Sequence, residues 1–363
     1  MSMLAGIRVL EIADGLTDFG GRMLAELGAD VTVVLPEAPQ APARERAWHH
    51  GKTRVTADSA ESIRSLARSA DVILDGQRNG GRFELSRALN PQTIYVKVTP
   101  FSATGPYAGR PASDLTLFAL SGLMHVTGEP NGSPLKFPGH QAYALTGIQA
   151  ATAALMALYA RRNSGKGQTA ELSAFQSTTL ANYREAVMYE WTGRIGRRQG
   201  NMLVRGKSGV RQIWPCKDGY VTWSMIDNPS MMRAVVGVMI EQGAAGELSE
   251  IDWGNILVAD TAQETIDRWQ TVFAAFFAAH TREELGQWSL ERGWGLSVIM
   301  APDDVRSSEH LAARGLFVSV TDEATGETYQ VPGPLFHSAV MDAPARSLRK
   351  PVPASKLAGG AAS

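Results

Sequence analysis

The sequence predicts an α/β protein built on a mostly parallel sheet of doubly wound type, with a smaller α/β domain in the middle of the chain. Three observations predict it. The chain opens strand, helix, strand: IRVLEI (7–12) is an apolar run of strand length, RMLAELG (22–28) has helical spacing and closes at Gly28, and VTVVL (31–35) is strand-like again. ADVIL (70–74) and TIYVKV (93–98) repeat the strand pattern, with the helix-period segment SIRSLARSA (62–70) before the first. Beyond residue 210 the pattern changes to a hairpin followed by helices, which marks a second unit.

The later elements follow from the same patterns. Residues 141–160 carry no charge over about the length that spans a bilayer. They are built mainly of Ala, with Thr, Gln and Gly among them, rather than of runs of Leu, Ile and Phe, so the expectation is a helix buried inside a soluble protein. RRNSGKGQ (161–168) is a turn, and residues 169–193 suit a strand edge and one long helix. The basic, Gly-rich stretch 194–209 reads as a linker, and 210–225 alternates around Lys217-Asp218-Gly219 as a hairpin. Helices are expected at 228–240 and 261–280, strands at 294–300 and 315–320, and a mobile terminus at 350–363. The expected domains are 1–200 and 201–300, with 301–363 returning to the first.

Composition excludes several function classes. With 44% hydrophobic and 20% charged residues among 363, the chain buries a large core and is not disordered. Lys+Arg 35 against Asp+Glu 36 leaves a net charge of -1, which speaks against nucleic acid as a partner. Cys216 is the only cysteine, so no internal disulfide forms and a reducing, cytoplasmic location is expected; there is no signal-peptide pattern and no membrane partner is expected. The seven histidines show no metal-ligand spacing, and no metal is expected. The loop ADGLTDFGG (13–21) lacks the glycine spacing a dinucleotide needs, and no Gly-x-Ser-x-Gly elbow or P-loop occurs.

The remaining loops suit an extended, phosphate-bearing ligand. HHGKTRV (49–55) places Lys52 and Arg54 in a turn, and GQRNGGR (76–82) adds Gln77, Arg78 and Arg82 after the strand 70–74. Loops at the C-terminal ends of parallel strands are where α/β sheets bind ligands. Ordinary solvated connections have the same composition. Asp114 opens the apolar run LTLFALSGLM, so N-capping and catalysis are equally open to its carboxylate.

Several segments together resemble the class III CoA-transferases of the CaiB/BaiF type. They are LAGIRVLEIADG (4–15), LAELGADVTVV (24–34), GKTRVTAD (51–58), residues 90–130, the Gly147-led Ala-rich helix with RRNSGKGQ, PCKDGYV (215–221) and residues 295–320. The resemblance implies a Rossmann-like large domain made from both chain ends, a smaller domain, and two chains interlocked as a homodimer. It implies acyl-CoA as substrate, with coenzyme A as the only cofactor-like ligand and no prosthetic group. The ligand positions it suggests are Lys52, Arg54, Asp58, Gln77, Arg78, Arg82 and Arg44.

The departures bear on mechanism. The nucleophilic aspartate of the resembled transferases stands four positions before the glycine of the Ala-rich helix, and here that position is Tyr143. The position of a racemase-type histidine is Ser113; Leu35 replaces an acidic strand end, and Gly76-Gln77 replaces a common Asn-Phe. The resembled route passes through an enzyme-CoA thioester, which requires a side-chain carboxylate. A phenol, with an ordinary pKa of about 10, has no carbonyl to offer. Asp114, Asp18 and Glu129 are the nearest alternative carboxylates, and direct exchange in a ternary complex is another route. The catalytic candidates are Tyr143, His140, Gln141 and Asp114. Two other readings stand beside transfer. One is lyase, isomerase or dehydratase chemistry on an acyl thioester, with His140 as base and Tyr143 as oxyanion donor. The other is a nucleophile-less subunit paired with an active relative in a heteromer.

Overall fold

The computed structural model describes residues 2–37, 42–78, 80–86, 90–333, 336 and 347–358. Its centre is a seven-stranded sheet in which every pairing is parallel. The strands are β1 (Arg8–Ile12), β2 (Asp30–Val34), β3 (Thr53–Thr56), β4 (Val72–Gly76), β5 (Ile94–Thr99) and β6 (Thr169–Ser173), with Val352–Pro353 added at the edge beside β3. The order runs from that edge through β3, β2, β1, β4 and β5 to β6. It reverses between β1 and β4, and the crevice outside the C-terminal ends of those two strands is the natural ligand site of such a sheet.

Buried strands of this kind bury both faces, and alternation along each strand assigns the layers. Val9, Val72 and Leu74 face the layer of α1 (Asp18–Glu26) and the Ala-rich helix, whereas Leu10, Ile12 and Ile73 face α3 (Ala60–Ser69). Between these helices lies α2 (Pro42–His49); α4 (Asp114–Leu120), α5 (Leu123–Val126) and α6 (Gln141–Ser164) come after β5. Helix α6 is long and apolar enough to cross a membrane, yet it is a core helix. Ala142, Gly147, Ala150, Ala151, Ala154 and Ala157 are buried along it. Its backbone approaches α1 so closely that a Cβ on Gly147 would lie 2.8 Å from the Gly20 nitrogen, and one on Gly20 2.6 Å from the Gly147 oxygen.

By contact density the chain divides into two units: one of residues 1–125, 135–196 and 309–363, the other of 126–134 and 197–308. The large unit therefore draws on both chain ends, and the segment 126–134, assigned by sequence to the first domain, belongs to the second. The small unit has its own core of aromatic residues, including Trp214, Trp223, Trp294, Phe273 and Phe277. It contains the hairpin of β7 (Met202–Arg205) and β8 (Ser208–Arg211), then β9 (Ile213–Cys216) and β10 (Gly219–Thr222), paired antiparallel as the Lys217-Asp218-Gly219 signal predicts.

Four local expectations are corrected. The expected linker 194–209 contains β7 and the start of β8, because Gly206, at φ +57°, turns the chain back on itself. The long helix after β6 is two helices, α7 (Ala174–Leu180) and α8 (Tyr183–Thr192), separated where the Asn182 amide turns to the Ser121 carbonyl at 3.2 Å. Of 294–300 only Ser297–Val298 is a strand. The terminus packs through residue 358: Val352 pairs with Val55, and the Ala354 nitrogen donates to the Thr56 carbonyl at 3.0 Å. Residues 359–363 lie outside the described residues.

Substituting Gly147 with Ala tests the α1–α6 contact. Alanine gains about 1 kcal/mol of helix propensity, but its methyl group must push two backbones apart. The expected net result in urea denaturation is a loss of roughly 1–3 kcal/mol; a stabilised variant would show that the contact has slack.

Candidate active site

The site forms where the sheet order reverses. After β1 the chain turns through Asp14, Gly15, Leu16 and Thr17 into α1. Gly15, at φ +105°, is required twice: for this backbone and because a Cβ would lie 2.8 Å from Tyr143 Cε2. Tyr143, only 2% exposed, therefore lies with its ring against this turn. Its backbone N–H, at the third position of α6, donates to Asp114 Oδ1 at 3.1 Å, and Lys136 Nζ lies 3.2 Å from the other Asp114 oxygen. Asp114 thus caps a helix, but α6 rather than its own; Ser113 caps α4.

Under the turn lies a buried charged network. Lys52 Nζ is fully buried 2.6 Å from Glu11 Oε2 on β1 and donates at 2.8 Å to the Asp18 carbonyl at the start of α1. The Asp18 carboxylate accepts from the Gly15 N–H at 3.0 Å and meets Arg44 at 3.3 Å and His49 at 3.4 Å. Burial pushes the Glu11 carboxyl up to about 8 against the pull of Lys52. Asp18 is also penalised by burial, but His49, Lys52 and Arg44 outweigh it and hold its carboxyl below the usual range. Burial keeps His49 below its usual value. Glu11, Asp18 and His49 stand close enough to share a metal ion, but the Lys52 ammonium already supplies the cation at Glu11.

Asp14 is half-buried at the rim of the turn. It accepts from the Leu16 N–H at 2.9 Å through Oδ1 and from the Arg78 N–H through Oδ2. Burial raises its carboxyl to about 7, opposed by the hydrogen bonds from Arg78 and Leu16. Arg78 Nη1 also donates to the Tyr143 hydroxyl at 3.3 Å, so one arginine connects the two side chains. Beside it a cavity of about 230 Å³ opens at the ends of β4 and β5, lined by Gln77, Arg78, Lys97, Phe101 and Arg110 among others.

A model of CoA-transferase family III matches residues 4–355. The chain belongs to CoA-transferase family III. It is an enzyme of that family by the same finding. It is 27% identical over 360 residues to succinyl-CoA:(R)-benzylsuccinate CoA-transferase subunit BbsE of Thauera aromatica, covering 90% of this chain and 86% of that one. It is 31% identical over 271 residues to succinate–glutarate CoA-transferase of Agrobacterium fabrum, covering 65% and 66%. A CaiB/BaiF family protein from Brucella suis has a similar fold, with a TM-score of 0.79, 25% identity and 99% of each chain covered.

The turn after β1 in this chain gathers Tyr143, Arg78 and Arg44; Arg44 lies 4.6 Å over the Trp48 ring and 5.6 Å from that of Tyr143. The other expected positions have separate tasks. Lys52 is sealed in the network beneath. Arg54 is buried, paired with Glu45 and bonded to the Arg349 carbonyl at 3.0 Å. Asp58 bonds Ser62 and Ser355, pinning the C-terminal return. Gln77 donates to Asp75 at 2.8 Å while lining the cavity, and Arg82 donates to the Leu35 carbonyl at 3.2 Å. Gln141 is exposed and braces the Pro138 carbonyl at 2.9 Å. The exposed His140 ring stacks on Tyr143 at 5.9 Å and 13°. That arrangement aligns ring faces and places no imidazole nitrogen on the hydroxyl. The adjacent His49 and His50 both reach α1, at Asp18 and at Glu26.

Sequence reasoning passed over Asp14 and Glu11. A signal was present: a carboxylate two residues past the first strand of a parallel sheet stands at its ligand edge.

Two measurements probe this arrangement. Lys52→Met strands the Glu11 carboxylate, and at about pH 9 the chain is expected to lose roughly 3–5 kcal/mol of stability; a neutral effect would remove Lys52 from the framework. Asp14 holds its proton more tightly in the folded chain than its ordinary value of 3.8, so its ionisation erodes stability as pH rises from about 4 to about 7. Asp14→Asn lacks this erosion. Its Tm is expected to gain on the wild type across that window; a constant difference contradicts the raised carboxyl.

Proposed function

We propose that this chain transfers coenzyme A between an acyl-CoA and a carboxylic acid, with the reacting thioester held at the turn after β1. The observation that carries the reading is the basic cavity beside Tyr143. Arg78, Lys97 and Arg110 converge there at the C-terminal ends of β4 and β5, charge suited to phosphate or carboxylate groups. Tyr143 stands four residues before Gly147 where the resembled transferases carry aspartate. Its hydroxyl accepts from Arg78 and keeps its own proton to donate to a thioester oxygen. Relatives are named for succinyl-CoA with benzylsuccinate or D-citramalate, and for succinate with glutarate, which makes succinyl-CoA the first donor to try.

The same reading includes a second copy of the chain. Met156 and Tyr159 on α6 and Tyr183 and Trp191 on α8 are 68%, 70%, 68% and 82% exposed. A groove of about 560 Å³ lined by Leu172 of β6, Leu180 of α7 and Tyr183 and Val187 of α8 opens beside them. Apolar surface on this scale calls for cover. A related subunit is the second reading, favoured by two relatives named as subunits, BbsE and a succinyl-CoA–L-malate CoA-transferase beta subunit.

Titration calorimetry with CoA and succinyl-CoA tests the proposal. Binding is expected, and Arg110→Ala is expected to weaken it about tenfold, or about 1.4 kcal/mol. No affinity for either compound overturns it. Exchange activity in the purified chain alone would exclude the subunit reading.

A further inference from the structure

We propose that Asp14 is the nucleophilic carboxylate of this site. The inference rests on the acyl-CoA reading above and deepens it. Among the described residues, the neighbouring carboxylates are committed elsewhere. Glu11 and Asp18 are completely buried in the Lys52 network, and Asp75, 3% exposed, accepts from Tyr95 at 2.6 Å and Gln77 at 2.8 Å. Asp114, 5% exposed, is occupied by the Tyr143 N–H and Lys136. Glu129 belongs to the other unit and packs against Gly200. Of these, Asp14 alone both belongs to the turn and is only partly buried as a residue.

Its surroundings are shaped around it. A Cβ on Gly76 would fall on the Asp14 carboxylate, so the absent side chain at the end of β4 is what admits it. One N–H from Leu16 and one from Arg78 fix the two oxygens, leaving a lone pair on each for reaction. The backbone of Arg78 holds the carboxylate and its side chain bonds the Tyr143 hydroxyl at 3.3 Å, while Tyr143 packs its ring against Gly15, the next residue of the turn. This supplies what a transferase needs and a phenol at position 143 lacks: an enzyme carbonyl that CoA can occupy.

The cycle balances without a further reagent. An Asp14 oxygen attacks the thioester carbon, the C–S bond breaks, and CoA leaves as thiolate from a mixed anhydride. The thiolate attacks Asp14 Cγ, and the C–O bond to Cγ breaks, so the donor acid departs as carboxylate and an aspartyl-CoA thioester remains. The acceptor carboxylate attacks Cγ, releasing thiolate, and the thiolate then takes the acceptor acyl group and frees Asp14. Tyr143 donates its hydrogen bond to the oxygen that gains charge in each attack.

The test incubates the full-length chain with succinyl-CoA, quenches with borohydride or hydroxylamine, and maps peptides by mass. Reduction to homoserine, or a hydroxamate, is expected at position 14. Asp14→Asn is expected to lose the label and slow exchange by roughly 10³-fold or more, while calorimetric affinity for CoA is retained. Exchange with the label elsewhere, or CoA binding with neither label nor exchange, overturns the assignment and leaves the CoA reading intact. Failure to bind CoA removes both. Because the wild-type map needs no variant, misfolding of Asp14→Asn would not spoil the test.

Discussion

One buried ammonium organises this molecule. Lys52 ties a carboxylate on β1 to the first carbonyl of α1, joining across the core two segments that the chain reaches 41 and 34 residues apart. A charge taken out of water is tolerable only when its donors are used, and here Glu11 and Asp18 use them. The result is a fixed exit from β1. Asp18, held by the same arrangement, orients Gly15, and Gly15 supports the ring of Tyr143. The side chains of the turn are thus positioned by a network buried beneath them.

Close packing sets the other coordinate. Gly20 and Gly147 bring α1 and α6 within backbone contact, which fixes the height of Tyr143, one turn before Gly147, relative to the turn at Asp14. Asp114 adds a cap to the same helix end from a distant part of the chain. This explains why the buried face of α6 is mostly Ala with Gly147 and Thr146, and why its apolar length does not make it a membrane span.

Much of the fold was legible because its cause is local. Strand-length apolar runs, Gly28 closing α1 and the Lys217-Asp218-Gly219 turn are set by neighbours along the chain. The misread segments fail for the opposite reason. Residues 350–358 look like a tail until β3 offers an edge, and 169–193 looks like one helix until Asn182 finds Ser121. The site divides in the same way. Tyr143, Arg78 and Gln77 were named as candidates from their positions, whereas a carboxylate in a polar turn such as Asp14 is indistinguishable by sequence from solvated loop composition.

By itself, the sequence determined the family, the parallel sheet and the absence of a carboxylate at position 143, since these depend on pattern and spacing. Only the tertiary structure decided which charged residues are framework and which are available. Lys52, Arg54 and Arg78 are all cations in polar stretches of sequence, but Lys52 and Arg54 are buried in ion pairs whereas Arg78 is partly exposed. A partner within hydrogen-bond reach in an apolar interior sets the charge, reach and chemistry of a group, and that partner comes from elsewhere in the chain.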